Sequence, residues 1–217
     1  MYSSLIASIL IQVITFLIEV GAMFIKVPTQ YFFLKQMMLL ELVVQFIEGS
    51  FYIYWLYHFK TIRNITPQRY FDWMITTPTM LVNLIFYLLF LESTQTLDFV
   101  TVFQKEWKMI LLVLVLNWMM LLFGYLGETS TFPGVFMGFI PFIVYYYLIY
   151  TNYALLSGTG ILIFYYFLFF WSLYGVVAMF PYTLKNMCYN VLDLFSKNFF
   201  GIFLTYLLLK ESVGFYA

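Results

Sequence analysis

Seven apolar segments, each long enough to cross a lipid bilayer as a helix, fill almost all of the 217-residue chain. Only helices and closed barrels satisfy their backbone polar groups in lipid, and these segments lack the alternating pattern of barrel strands. The sequence therefore predicts an all-α membrane protein, a single domain over residues 1–217 folded as a seven-transmembrane-helix bundle. The predicted spans are 3–25, 30–57, 68–91, 106–126, 134–155, 158–180 and 183–209.

Composition supports this assignment and excludes several other classes. Hydrophobic residues make up 64% of the chain and charged residues 9%, which leaves too little polar surface for a water-soluble domain. Ten basic and ten acidic residues give no net charge, so nucleic acid is not an expected partner. The single Cys188 excludes an intrachain disulfide and a cysteine-rich metal site, and no metal site is predicted. The lipid bilayer is the expected partner.

The basic residues give an orientation. Positive side chains are more frequent in cytoplasmic loops. Five lie on one predicted side of the membrane and three on the other, which predicts a multi-pass protein with its amino terminus outside. The two sets are Lys26, Lys35, Lys105, Lys108 and Lys210, and Lys60, Arg63 and Lys185. The first segment lacks the charged start and the cleavage site of a signal peptide, so it is expected to be a retained helix.

The seventh span carries Asp193 and Lys197, four residues apart and therefore on one helix face. A lysine near the bilayer centre costs about 2.5–3.5 kcal/mol on insertion scales and usually serves a function. Desolvation frees the amine of a buried lysine to form a Schiff base with an aldehyde. A lysine that reaches the surface from a helix end is the alternative, but the apolar run continues for three turns past this position.

A second polar stripe runs along the third span. Arg69 and Asp72 are three residues apart, and Asn83 follows Asp72 after eleven residues, so all three are expected to face the bundle interior. The charges of Arg69 and of a cationic Schiff base on Lys197 would balance Asp72 and Asp193. A salt bridge between two helices would explain the pairing, but not a lysine in mid-span.

These residues form a pattern that resembles the microbial (type 1) rhodopsins over the whole chain. The matching motifs are Arg69-Tyr70-x-Asp72-Trp73-x-x-Thr76-Thr77-Pro78, Trp171-x-x-Tyr174 and Asp193-x-x-x-Lys197. The resemblance implies all-trans retinal, bound covalently to Lys197 as a protonated Schiff base, with photoisomerisation as the trigger. It assigns Asp72 as primary counterion and proton acceptor, Asp193 as second counterion and Arg69 as their neighbouring arginine. It also assigns the retinal pocket to Trp73, Thr76, Thr77, Met80, Met120, Trp171 and Tyr174.

Some positions depart from the family pattern. Gly175 and Ala178 stand where many members have proline and a second tryptophan, so the pocket is expected to be roomier there. Asn117 of the fourth helix is expected to couple to Thr77 near the Schiff base. Asn83 occupies the position of the carboxylic proton donor of outward pumps, and an amide cannot release a proton. A proton pump would then be slow and would need water or another acid as its donor.

The second span favours a different transport function. Glu41, Gln45 and Glu48 share one helix face, and carboxyls inside a membrane usually mark ion or proton paths. Each glutamate could instead be protonated and bonded to a neighbouring helix. The pattern resembles channelrhodopsins, and the short chain resembles rhodopsins of giant viruses of algae.

The resemblance to channelrhodopsins assigns a gate. Asn198 matches the asparagine that follows the retinal lysine, and Glu41 matches the gate glutamate. Ser8 is the expected first-helix partner, with Gln12 or Thr15 as alternatives. Glu48 is assigned to the same ion pathway.

We therefore expect a retinal-binding photoreceptor, not an enzyme, that acts as a light-gated channel for cations such as H⁺, Na⁺ or K⁺. The alternatives are a light-driven outward proton pump, a photosensor that signals through a partner protein, and a transporter without retinal. A homo-oligomer is left open.

Overall fold

The computed structural model describes residues 1–216, with side chains as far as Ser212, and is a bundle of helices. Its α-helices are α1 (Tyr2–Ala22), α2 (Phe32–Tyr57), α3 (Thr66–Glu92), α4 (Phe99–Thr129), α5 (Gly134–Asn152), α6 (Gly158–Val177), α7 (Tyr182–Asp193) and α8 (Phe199–Tyr216). Single 3₁₀ turns lie at Thr29–Tyr31 and Ala154–Leu156, and a π-helical turn at Leu194–Asn198 joins α7 to α8. Because α7 and α8 are continuous through this turn, the described residues form seven apolar spans. The predicted seven-helix fold is confirmed.

The bundle has two ends, named here by the residues that mark them. The Met1 end contains the amino terminus and the connections at 58–65, 130–133 and 178–181. The Lys26 end contains the connections at 23–31, 93–98 and 153–157. Both names are geometric, because the structure contains no membrane.

One clear boundary difference is at α4, which begins at Phe99, seven residues before the predicted start at 106. The Asp98 carboxylate caps the helix by accepting hydrogen bonds from the backbone N–H groups of Val100 and Thr101. The side-chain amide of Gln36 also donates to this carboxylate, at 3.1 Å. The bonds from Gln36 and from the Thr101 backbone hold the pKa of Asp98 below its usual range. The prediction followed the apolar run and overlooked this polar cap.

Burial is uneven among the spans and shows which faces meet lipid. α3 is the most buried span, and it occupies the centre of the bundle. Large apolar side chains on other helices point outward, among them Leu17, Phe136 and Leu162. Such faces suit the hydrocarbon core of a bilayer.

α4 and α5 approach closely at the Met1 end. A Cβ at Gly134 would overlap the carbonyl oxygen of Phe123 and lie 2.7 Å from the backbone nitrogen of Gly127. Only glycine fits there, because the obstruction is backbone, which cannot turn away as a side chain can. This contact helps to fix α4, which supplies one wall of the cavity described below.

An apolar layer fills the bundle near the Lys26 end. Its side chains are 0–1% exposed, and two of its rings, Phe33 and Phe86, stack with centroids 5.5 Å apart. The layer consists of Phe33, Leu34, Met37, Phe86, Phe200 and Leu204. It separates the polar interior of the bundle from the Lys26 end.

Candidate functional site

Lys197 lies at the centre of a charged cluster within the bundle. The residue is 1% exposed, and its Nζ is 3.0 Å from Oδ2 of Asp72 and 3.5 Å from Oδ1 of Asp193. The structure therefore brings together the lysine and both predicted counterions. Lys197 belongs to the π-helical turn, a distortion that often occurs at functional sites.

A third carboxyl completes the cluster and was not expected there. Oε1 of Glu48 lies 3.5 Å from Nζ of Lys197 and accepts a hydrogen bond from the Gln12 amide at 3.3 Å. Gln12 also donates to the Ser8 hydroxyl, at 3.3 Å. The sequence assigned Glu48 to an ion pathway, and the structure places it beside the lysine as well. Spacing within α2 could not show this, because the register between α2 and the seventh span is set by packing.

Asp193 and Asp72 differ in how they are held. Asp193 accepts hydrogen bonds from the hydroxyls of Tyr52 at 2.5 Å and Tyr174 at 2.6 Å, and from Nη1 of Arg69 at 3.2 Å. Asp72 has Lys197 on Oδ2, while its buried Oδ1 has no protein partner among the described residues. Charge-assisted bonds thus stabilise the Asp193 carboxylate more than that of Asp72.

Arg69 is held from several sides. Its Nε donates to Oδ1 of Asn186 at 3.0 Å, and its Nη2 donates to Oδ1 of Asn190. The guanidinium carbon lies 4.8 Å from the ring centroid of Trp55, a cation–π arrangement. Neither asparagine is among the predicted site residues. Their spacing from Asp193, seven and three residues, places all three on one face of α7 and could have indicated them.

A largely apolar cavity adjoins Lys197 and encloses about 720 Å³ of space, including its open mouth. Five of the seven predicted pocket residues line it: Trp73, Thr77, Met120, Trp171 and Tyr174. A cavity walled by aromatic rings that ends at a buried amine with carboxyls beside it fits an apolar aldehyde bound as a cationic Schiff base.

Two predicted pocket residues do not line this cavity. Thr76 turns its hydroxyl to the backbone oxygen of Asp72, at 3.0 Å, and Met80 is fully buried in the apolar core. The extra room expected at Gly175 is also absent, because the ring of Phe139 occupies the space that a side chain there would take.

The expected link between α3 and α4 is present. Nδ2 of Asn117 donates to Oγ1 of Thr77 at 2.8 Å, and both residues are buried. Because Thr77 lines the cavity, this bond fixes one of its walls.

The predicted gate contact among Ser8, Glu41 and Asn198 is wrong. Asn198 donates from Nδ2 to Oγ1 of Thr15 at 2.5 Å and to Oε1 of Gln45 at 2.7 Å. Thr15, one of the alternatives, is therefore the first-helix partner. Ser8 lies seven residues earlier on α1, about two helical turns away.

Ser8 and Glu41 have other partners. The Ser8 hydroxyl donates to the backbone oxygen of Asn190 at 3.1 Å. Glu41 accepts a hydrogen bond at 3.3 Å from Nδ2 of Asn83. A carboxyl group therefore lies beside the amide that occupies the donor position. Glu41 and Asn83 lie on different helices, so residue spacing along the chain does not reveal this pairing.

Together these side chains form a polar column through the bundle. It runs from Ser8 toward the Lys26 end and stops at the apolar layer. Its members are Ser8, Gln12, Thr15 and Glu19 of α1, Glu41, Gln45 and Glu48 of α2, Asn83 of α3, and Asn198. Six of them, Gln12, Glu19, Glu41, Glu48, Asn83 and Asn198, have a buried oxygen without a protein partner among the described residues. Such atoms normally bond to water, so the column is suited to hydration.

Comparison with known proteins places the chain in a family. A model of the family described as bacteriorhodopsin-like protein matches residues 3–211. The green-light absorbing proteorhodopsin of gamma-proteobacterium EBAC31A08 is 26% identical over 173 residues, which cover 68% of this chain and 63% of that protein. The chain thus matches less than two thirds of the length of this relative.

Solved structures agree. The crystal structure of viral rhodopsin OLPVRII superposes with a TM-score of 0.84 at 26% identity and covers 96% of this chain and 97% of that chain. Xanthorhodopsin, described as a light-driven ion pump with dual chromophore, gives a TM-score of 0.75 at 18% identity over 98% and 93% of the two chains, which shows the shared fold. The chain therefore belongs to the bacteriorhodopsin-like family, the microbial rhodopsins, which bind retinal through a Schiff base to a lysine.

Proposed function

We propose that this microbial rhodopsin is a light-gated cation channel, with retinal on Lys197 and the polar column as its conduction path. The observation that carries the proposal is the column itself. A proton pump needs an acceptor and a donor, whereas this column adds Glu19, Glu41 and Glu48 to the two aspartates and links α1, α2 and the seventh span. Carboxyl groups inside a membrane are costly, and those that occur there usually mark ion or proton pathways.

The cavity beside Lys197 would hold the retinal. When bound, retinal supplies a light-driven change of shape and a cationic nitrogen at the position of Nζ. Oδ2 of Asp72, at 3.0 Å, is placed to accept the proton of that nitrogen. Asp193 is held by Tyr52, Tyr174 and Arg69 and stays ionised, so the site keeps one negative charge after the transfer.

Asn198 is the proposed gate. It follows Lys197 directly in the π-helical turn and bonds to Thr15 of α1 and Gln45 of α2. Movement of this turn would pull Asn198 from both partners and loosen the contact among three spans. Water could then enter the column, and the apolar layer at the Lys26 end must also part before ions cross.

The column is suited to cations. Glu19, Glu41 and Glu48 offer carboxyl oxygens along it, and rings or rows of acidic side chains select cations in other channels. Among the described residues, the Lys197 amine is the cationic group that contacts the column, at Glu48. Arg69 is linked to the column only through Asn190, whose backbone oxygen accepts a hydrogen bond from Ser8. Protons, sodium and potassium are the expected ions.

We also propose that the Met1 end faces outward. Helix connectivity places Lys26, Lys35, Lys105, Lys108 and Lys210 toward the Lys26 end, and Lys60, Arg63 and Lys185 toward the Met1 end. The positive-inside rule then puts the Lys26 end in the cytoplasm. A homo-oligomer stays a prediction. Family membership removes the alternative of a transporter without retinal.

An outward proton pump is the second candidate, because of one contact. Glu41 accepts a hydrogen bond from Asn83 at 3.3 Å, so an acid is available on the Lys26 side of Lys197. Glu41 could return a proton to the lysine nitrogen while Asp72 releases one toward the Met1 end.

Current measured against voltage under illumination separates the two functions. A channel current reverses sign near the equilibrium potential of its ion, and this potential moves when external sodium or potassium is exchanged. A pump current keeps one direction under all gradients, and that result would contradict the channel. Glu48→Gln should reduce the channel current or shift its reversal potential, while Glu92→Gln at the exposed end of α3 serves as a matched control.

A further inference from the structure

Glu19 of α1 is a buried acid that neither the family motifs nor the predicted gate uses. It is 0% exposed, and its Oε1 accepts one hydrogen bond, from Nε2 of Gln45 at 3.1 Å. Its Oε2 is buried without a protein partner among the described residues. Every ion pair among the described residues involves another acid, so no lysine or arginine in that set neutralises Glu19.

A buried carboxylate with a single neutral hydrogen bond is strongly disfavoured. Glu41 of α2 is the other acid close enough to repel a negative charge on Glu19. Burial, the missing cation and this neighbour all favour a carboxylic acid with its proton on the buried Oε2.

The lack of a side chain at Gly201 in the seventh span leaves space for Glu19. A Cβ at Gly201 would overlap the Glu19 side chain at Oε1 and Cδ and lie 2.8 Å from Oε2. Gly201 lies three residues beyond Asn198, on the helix that continues from the retinal lysine. The carboxyl group of Glu19 therefore rests directly against the backbone of that helix.

A chain of hydrogen bonds connects Glu19 to the turn that carries Lys197. Asn198 donates to Oε1 of Gln45 at 2.7 Å, and Gln45 donates through Nε2 to Glu19. Gln45 keeps its bond to Glu19 only while Asn198 holds the Gln45 side chain in position. Motion at Lys197 is therefore transmitted to Glu19 through the side chains of Asn198 and Gln45.

We propose that Glu19 is a proton-exchanging cation site of the light-gated path. In darkness it is a neutral acid held by Gln45. When the Lys197 turn moves, the bond from Gln45 is lost and water reaches Oε2. The O–H bond then breaks, its electron pair stays on Oε2 and the proton passes to a water molecule. The resulting carboxylate binds a passing monovalent cation, and the reverse steps restore the acid.

This inference rests on the proposed function, but infrared difference spectroscopy of the retinal-bound protein in lipid reads Glu19 directly. The light-minus-dark spectrum should lose a carboxylic C=O stretch. That loss should be missing in Glu19→Gln and retained in Glu41→Gln. A wild-type difference spectrum that Glu19→Gln leaves unchanged would mean that Glu19 is only a structural acid, and the proposal would fail.

Two further variants keep the test decisive if Glu19→Gln does not bind retinal. Gly201→Ala should shift the frequency of the band by displacing the carboxyl group, while Gly21→Ala, where a Cβ meets nothing within 4 Å, should not. Gln45→Met should remove the band from the difference spectrum but leave the protein coloured. Retention of an unshifted band in both Gly201→Ala and Gln45→Met would overturn the proposal.

Failure of the proposed function gives a different result. If the wild-type current never reverses, the channel is wrong, yet the infrared spectra still show whether Glu19 changes its protonation. If the current reverses but no band depends on Glu19, the channel stands and this inference falls.

Discussion

Replacing Asp72 by asparagine should move the absorption maximum of the retinal-bound protein to longer wavelength. The Asp72 carboxylate lies 3.0 Å from the nitrogen of Lys197, which corresponds to about 5.5 kcal/mol of attraction at an effective dielectric constant of about 20. Light moves positive charge away from the nitrogen along the polyene, so this attraction stabilises the ground state more than the excited state. Loss of this attraction reduces the energy difference between the ground and excited states by a part of that attraction energy of about 5.5 kcal/mol.

The matched control is Glu48→Gln. Glu48 lies 3.5 Å from the same nitrogen and would contribute about 4.7 kcal/mol if it were ionised. Arg69 and the Schiff base already balance Asp72 and Asp193, so Glu48 is expected to carry a proton, and its replacement should leave the colour nearly unchanged. Absorption spectra of both variants in detergent at neutral pH decide the point. An unshifted Asp72→Asn spectrum, or an equal shift from Glu48→Gln, would refute the reasoning.

Two predictions concern stability. Gly134→Ala should destabilise the protein by about 1–3 kcal/mol, because the added Cβ overlaps the backbone of Phe123; thermal loss of the visible band measures this, with Gly158→Ala, where a Cβ meets nothing within 4 Å, as the control. The bond from Gln36 lowers the pKa of Asp98, so its stabilising effect is present above the unfolded pKa and is lost as pH falls through the folded one. The melting temperature should therefore fall in acid less steeply in Asp98→Asn than in the wild type, and equal pH profiles would contradict this role of the cap.

The fold was predictable from sequence because the bilayer limits the choices. A run of about 20 apolar residues has few structures open to it in lipid, so the runs themselves located the spans. The boundaries that differed depend on local polar bonds, as at Asp98, which hydrophobicity does not register.

The charged cluster was predictable in part. Asp193 and Lys197 share a helix face by spacing alone, and the motif around Asp72 pointed to the same site. The contact of Glu48 with Lys197 was not predicted because it depends on how far one helix is displaced along another. Glu41 and Glu48 sit on the same face of α2, and a shift of about two helical turns decides which of them lies beside Lys197.

The gate shows the same limit. Ser8, Gln12, Thr15 and Glu19 repeat at intervals of four, three and four residues, so the sequence contains the polar face of α1. The sequence alone does not specify which residue of that face Asn198 contacts. Packing of the seventh span against α1 sets this contact and selects Thr15.

The most direct test of the account is the position of the retinal. Borohydride reduction of the illuminated protein, followed by digestion and mass spectrometry, fixes the chromophore to the residue that holds it. The account predicts a retinyl adduct on Lys197, beside Asp72 and Asp193. An adduct on a different lysine, or no adduct on the chain, would contradict it.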